Sequence, residues 1–225
     1  TLFTLVDNSK TGINFSNELV DTKEHSIFLY ANYYGGAGVG IGDFDNDGLE
    51  DIFFAANLLD DKIYKNLGNF EFEDKTKMSG IINNGSWSTG VTVADVNNDG
   101  LLDIYVSCEL YDDAPVLRRN KLYINQGSFK FKESASEWGV DVDRRTRHSV
   151  FFDYNKDGLL DLYLLNHPPN TGNFSPFFGK DMSLPEYNLQ LFENKGNHFV
   201  DVTQSAGLNR SGFPNAAVIG DFNKD

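Results

Sequence analysis

The chain is poor in the residues from which covalent cross-links and most catalytic centres are built. One cysteine, Cys108, stands among 225 residues, so an internal disulfide framework is excluded, and in its apolar setting it reads as a small buried hydrophobe ending a strand. The four histidines, His25, His148, His167 and His198, fall at unrelated positions, and His148 reads as a core or channel-lining residue. No GxSxG, HExxH or phosphate-binding glycine loop occurs, so no catalytic residue is assigned and the chain is not read as an enzyme. Basic residues are also scarce. Nineteen Lys and Arg face 33 Asp and Glu, a formal charge of -14, which argues against nucleic acid and anionic membrane surfaces as partners. No apolar run reaches the 18 residues of a membrane span. There is no signal-peptide pattern, and the start at Thr1 without methionine fits a processed or trimmed product. A hydrophobic fraction of 40% with 14% aromatics suffices for a packed globular core.

What the chain has is aspartate in repetition. DFDNDGLED at 43–51 returns as DVNNDGLLD at 95–103 and DYNKDGLLD at 153–161, and DFNKD starts a fourth copy at 221. Each complete copy places oxygen-bearing side chains at positions 1, 3, 5 and 9 around a glycine at 6, the arrangement by which a short loop wraps a hard cation. The expected ligands are Asp43, Asp45, Asp47 and Asp51; Asp95, Asn97, Asp99 and Asp103; and Asp153, Asn155, Asp157 and Asp161. The carbonyls of Leu49, Leu101 and Leu159 at position 7 would add to them, and Asp221, Asn223 and Asp225 belong to the partial fourth site. The three loops hold four, three and three aspartates, so three divalent ions would take the charge from -14 to -8. With aspartate rather than asparagine at position 3, the first loop is expected to bind most tightly.

Calcium is the ion inferred. An EF-hand would need a glutamate at position 12 between helices, and that position holds Phe54, Val106 and Leu164. Zinc lacks Cys and His ligands near the loops, and magnesium rarely occupies all-protein cages. An Asx-rich turn without metal is the alternative for one copy; three copies on one strand frame favour the ion.

The first aspartates fall at 43, 95, 153 and 221, spacings of 52, 58 and 68, a repeat period that points to a propeller or solenoid. Apolar, β-prone runs flank every loop, as in GAGVGIG before the first and DIFFAAN after its last aspartate. A third strand follows in KIYKN (62–66), KLYIN (121–125) and LQLFEN (189–194), then a glycine turn and a fourth strand through Phe72, Phe131 or Phe199. The expected fold is an all-β propeller of four-stranded antiparallel blades, three complete and a fourth begun, within a parent of 7–8 blades. The divisions are 1–35 (N-terminal strand and link), 36–81 (blade 1), 82–140 (blade 2), 141–208 (blade 3) and 209–225 (start of blade 4). FTLVDNSKTGI at 3–13 matches the blade ending FVDVTQSAGL at 199–208, and is expected to be either the outer strand of a closing blade or a simple edge strand packed on blade 1.

The loops and their strand frame resemble the FG-GAP/VCBS repeats of integrin α-subunit propellers and of many secreted bacterial proteins. GINF, NYYGGAGVGIGDFDNDGLEDIFF and FVDVTQSAGL are similar, more narrowly, to the cartilage-acidic-protein-like, ASPIC/UnbV-associated VCBS proteins common in Bacteroidota. That resemblance implies structural calcium in the loops and an extracellular or cell-surface location, in bacteria often as an outer-membrane lipoprotein. It also implies a setting in an envelope assembly beside an outer-membrane transporter.

In such a blade the connections between strands two and three lie on the rim opposite the metal loops, where insertions on a repeat scaffold commonly bind partners. Tyr111, Arg118, Arg119, His167, Phe174 and Tyr187 are the candidate partner-binding residues, suited to a protein interface or to stacking on sugar rings. The expected function is a calcium-binding scaffold for protein–protein interaction. A carbohydrate-binding lectin and the propeller part of a polysaccharide lyase or hydrolase are the alternatives.

Overall fold

A computed structural model describes residues 2–30, 32–110, 114–168, 189–208 and 210–220. These residues form an all-β structure of three four-stranded antiparallel sheets. The first contains β1 (Val39–Gly42), β2 (Asp51–Phe54), β3 (Lys62–Asn66) and β4 (Phe72–Asp74). The second contains β5 (Trp87–Ala94), β6 (Asp103–Glu109), β7 (Lys121–Asn125) and β8 (Phe131–Glu133). The third contains β9 (Arg145–Phe152), β10 (Asp161–His167), β11 (Gln190–Asn194) and β12 (Phe199–Asp201). Each sheet is a meander in chain order, so its aspartate loop and the turn between its third and fourth strands lie at one end. The connection between its second and third strands lies at the other.

The sheets stack because their strands are apolar on both faces. In β6, Ile104, Val106 and Cys108 join a core with Phe53, Ala55 and Ile63 of the first sheet, while Tyr105 points the other way, into a core with Leu162, Leu164 and Phe192 of the third. Strand alternation alone produces this division. Cys108 is fully buried and free, as its apolar neighbours in sequence imply. The first strands approach so closely that side chains are excluded from parts of them: a Cβ on Gly40 would lie 2.7 Å from a methyl of Val91.

After its fourth strand each of the first two units closes with one helical turn, α2 (Thr76–Ser79) or α3 (Ala135–Trp138), ended by a left-handed glycine, Gly80 or Gly139. The N-terminal segment does the same, with α1 (Asn8–Thr11) and Gly12 at φ 72°. A Cβ on Gly12 would meet the Phe72 carbonyl oxygen at 2.6 Å, and one on Gly80 would meet the Phe131 carbonyl oxygen at 2.5 Å. Beyond Gly12 the Phe15 ring stacks on Phe54 of β2 at 4.8 Å, and beyond Gly80 the Tyr123 hydroxyl donates to the Ile82 carbonyl at 2.9 Å. Residues 8–15 therefore lie on the first sheet as residues 76–82 lie on the second. Within residues 3–13 no strand is formed among the described residues, and Phe3 and Leu5 are 88% and 97% exposed.

In the second and third units the asparagine that ends the third strand ties its sheet to the preceding one. Asn125, at the end of β7, donates from Nδ2 to the Leu102 carbonyl of its own loop at 3.0 Å and to the Phe44 carbonyl of the preceding sheet at 2.9 Å. Asn194 repeats both bonds, to Leu160 at 3.1 Å and to Val96 at 2.9 Å. Asn66 donates to Glu50 of its own loop at 2.8 Å. Removing a buried amide that satisfies two carbonyls costs about 1–3 kcal/mol, and each kcal/mol moves the melting temperature of a domain this size by about 2–4 °C. Asn125→Ala and Asn194→Ala should therefore lower the melting temperature more than Asn66→Ala does. Equal losses in the three variants, measured by calorimetry in one buffer, would contradict the cross-sheet role.

Candidate metal loops and the opposite end

Each aspartate loop is shaped by its own side chains before any ion is considered. Asp43 accepts the N–H groups of Asp47 and Gly48, at 3.0 and 2.7 Å; Asp95 and Asp153 accept the equivalent pairs. The turn needs left-handed backbone at positions 4 and 6, where Asn46 has φ 57° and Gly48 φ 87°, and glycine is the residue that takes such a φ without steric cost. Position 9 anchors the loop to the sheet: Asp51 accepts from Phe44 N at 2.9 Å and from Asn66 N at 2.7 Å. Asp103 holds Val96 and Asn125 in the same way, and Asp161 holds Tyr154 and Asn194.

In the first loop Asp43, Asp45 and Asp51 each bring a carboxylate oxygen within 4.8 Å of the others, a group that could hold a metal ion. Asp45 Oδ1 is buried there with no hydrogen-bond partner. An acceptor left without a donor in a nest of hard oxygens is what a bound cation would satisfy, so the donor set fits calcium. Asp51 fits as well, because a carboxylate has about four lone-pair sites and the two amides use two. Asp47 is not part of this group. Its Oδ1 accepts from Leu49 N at 2.9 Å and its Oδ2 pairs with Lys65 Nζ at 2.6 Å; Lys65 also pairs with Asp45. In the other loops Asn97 and Asn155 stand at position 3, and their amides bond Asp99 and Asp157 at 2.9 Å.

Electrostatics follow burial. Desolvation raises the Asp51 carboxyl to about 6 and the Asp103 carboxyl to about 7, against the lowering effect of their backbone amides, and Asp161 is raised for the same reason. The exposed Asp157 is held below the usual carboxylate range by the Leu159 N–H and by Asn155.

The opposite end is more closed than the sequence suggests. His167 is 6% exposed; its Nδ1 lies 3.5 Å from Glu109 and its Nε2 2.8 Å from the Pro214 carbonyl oxygen. Its side chain is thus engaged inside the fold, not displayed on a rim. Glu109, 1% exposed, also meets Arg147 of β9 at 3.3 Å; burial alone would raise its carboxyl, but His167 and Arg147 hold it below its ordinary value. Sequence reading missed this cluster, although Asn57, Glu109 and His167 occupy one repeat position, six residues after Asp51, Asp103 and Asp161. Arg118 bonds the Asp143 carbonyl, and Arg119 pairs with Asp141 at 2.6 Å while half of its side chain stays exposed. Tyr111, Phe174, Tyr187, Asp221, Asn223 and Asp225 lie outside the described residues. His148 is half-buried and lines a cleft between β1, β5 and β9, where burial lowers its pKa.

Comparison with known proteins fits this geometry. Residues 43–106, which include the first two complete aspartate loops, match the FG-GAP-like repeat family. The chain is 25% identical over 164 residues to Cartilage acidic protein 1 of Xenopus tropicalis, a match covering 72% of this chain and 24% of that protein. The chain thus spans about a quarter of the length of the curated relative it matches. Among the described residues no helix is long and apolar enough to cross a membrane.

The position-9 carboxyls also make stability depend on pH. They bind protons more readily in the folded chain than in the unfolded one, where carboxyls titrate near about 4, so their stabilising contribution is complete below that value. It is lost as pH rises through about 6 for Asp51 and about 7 for Asp103. His148 acts in the opposite sense, and the buried Asp61, also raised by desolvation, acts with the position-9 carboxyls. In chelator, the melting temperature should fall by on the order of 5 °C between pH 5 and pH 8, and millimolar calcium should remove the slope. A melting temperature that rises with pH in chelator would contradict this assignment.

Proposed function

We propose that the chain is part of a calcium-loaded β-propeller in an extracellular protein, with the aspartate loops holding the ions and the opposite end contacting a protein partner. The observation that carries this reading is the recurrence of one loop at the same end of three alike sheets, with an unsatisfied buried acceptor, Asp45 Oδ1, in the first. The match to FG-GAP-like repeats and the likeness to Cartilage acidic protein 1 support a non-catalytic interaction scaffold outside the cell. In the reading adopted here the ions stabilise the sheets and do no chemistry, because a catalytic pair of carboxylates serves one site whereas these recur in every unit. The side chains at positions 1, 3, 5 and 9 and the carbonyls of Leu49, Leu101 and Leu159 would hold the calcium, and Asp221, Asn223 and Asp225 would begin a fourth site. Anchoring as a lipoprotein beside an outer-membrane transporter is the setting we favour within a bacterial envelope.

Two measurements test the two halves of this reading. Calcium that binds only the folded chain adds about 2.7 kcal/mol per loop at a hundredfold excess over its dissociation constant, so calcium after chelation should raise the melting temperature by about 5 °C or more. An unchanged melting curve rejects structural calcium. Probing an array of secreted proteins beside a glycan array with the full chain should give calcium-dependent binding to protein. Glycan binding without any protein partner would overturn the scaffold reading in favour of a lectin.

A further inference from the structure

The head of the first strand departs from the repeat in the third unit. Six and five residues before the first aspartate of each loop stand Ala37 and Gly38, then Thr89 and Gly90, then Arg147 and His148. The glycines are set by packing: a Cβ on Gly38 would lie 2.6 Å from the Val91 nitrogen, and one on Gly90 would lie 2.9 Å from the Arg147 carbonyl oxygen. His148 ends that series. Its half-buried ring stands where the first two units carry no side chain, and it makes no hydrogen bond to a described residue.

A cleft of about 260 Å³ lies beside it, walled in part by Ala37, Thr89, Arg147 and Asn215, the last at the same count before Asp221. Toward the loop end it continues as a second cleft of about 630 Å³ between β1, β5 and β9, with Val39, Val91 and His148 bordering both. The two have opposite characters. On the described walls of the smaller one Arg147 is the one residue of fixed charge, in a chain of formal charge -14. Its Nη1 meets Glu109 at 3.3 Å, and Glu109 is shared with His167 at 3.5 Å; its Nη2 lies against Gly35, where a Cβ would collide with it. A guanidinium is a planar fork of five N–H donors, so Glu109 leaves donors over for a second carboxylate. The larger cleft is lined mainly by apolar side chains, Val93 and Phe151 among them, and Val39 and Ile41 on its wall are 51% and 60% exposed. Asp95, at its loop end, is the acidic residue on its described walls and disfavours an anionic group there.

We propose that these joined clefts bind an apolar carboxylic acid, its carboxylate held by Arg147 and His148 and its hydrocarbon body laid along β1, β5 and β9. A guanidinium fork matches a carboxylate in geometry and charge, and an imidazole supplies a further N–H. The apolar wall supplies burial, and the polar head fixes orientation, the division of labour common in small-molecule sites. With Arg147 at one end and Asp95 at the other, the site favours an acid with a single carboxylate at its head. None of the groups that would hold the acid belongs to an aspartate loop, so the inference stands apart from the calcium reading.

The test titrates hexanoate into the full chain in calcium and follows the backbone amides of Gly38 and Gly90 by NMR, with acetate as the head alone and hexanol as the body alone. Hexanoate should shift both amides saturably in the millimolar range, and acetate and hexanol should each bind more weakly by on the order of tenfold. Arg147→Lys keeps a charge for Glu109 and loses the fork; it should weaken hexanoate on the order of tenfold and leave hexanol unchanged. His148→Gly, which copies the first two units, should weaken hexanoate in the same direction and carries the test if the lysine variant does not fold. Hexanol binding as tightly as hexanoate, or hexanoate binding insensitive to both substitutions, overturns the carboxylate site. Acetate binding as tightly as hexanoate overturns the apolar body. Amides that do not move through the millimolar range of hexanoate reject the site.

Discussion

The contact on which the rest of the structure depends is the carboxylate at loop position 9, Asp51, Asp103 or Asp161, accepting one backbone N–H from its own loop and one from the third strand. The loop amide fixes where the turn closes. The strand amide belongs to Asn66, Asn125 or Asn194, and the side chains of the last two reach the carbonyl at loop position 2 of the preceding sheet. A single buried carboxylate therefore sets the turn, the register of the third strand and, through the asparagine it holds, the spacing of neighbouring sheets. Burying it is costly, which is why the Asp51 and Asp103 carboxyls are pushed up to about 6 and 7, and a cation beside them offsets that cost.

The two ends of each sheet have different physical characters. At the loop end the polar groups come from the repeated motif, and in the first loop three of its carboxylates form a group that could hold a metal ion. At the other end, polar groups that differ from unit to unit pair with one another across sheets, Glu109 with Arg147 and His167, and Asn57 with the Ser88 carbonyl. Those pairs are buried and mutually satisfied, so they fix how one unit sits on the next. Variation at that end serves packing as well as any partner. Arg118 and Arg119, drawn into contact with residues 141–143, illustrate this.

The N-terminal segment shows how a repeat can be read where its strand is missing. Gly12 meets the first sheet as Gly80 meets the second, each against a fourth-strand carbonyl. The helical turn and the glycine are local features that fold against the neighbouring sheet. A strand is not local, since its hydrogen bonds need a partner, and among the described residues no strand forms within 3–13.

The repeat, the four strands of each unit and the oxygen-rich loops were legible from the order of residues because they rest on local rules: side-chain alternation, glycine where φ is positive, and aspartate spacing around a turn. Asn66, Asn125 and Asn194 were visible as letters, each two residues before a turn glycine, but their roles were not, because their partners stand as many as 98 residues away. The burial of His167 and the placement of Lys65 against Asp45 and Asp47 were equally hidden. Each depends on which strands lie side by side, and so on contacts that form only when sheets pack. For the same reason the sequence does not show that the Lys65 ammonium, outside the nine-residue motif, stands against two aspartates of the first loop.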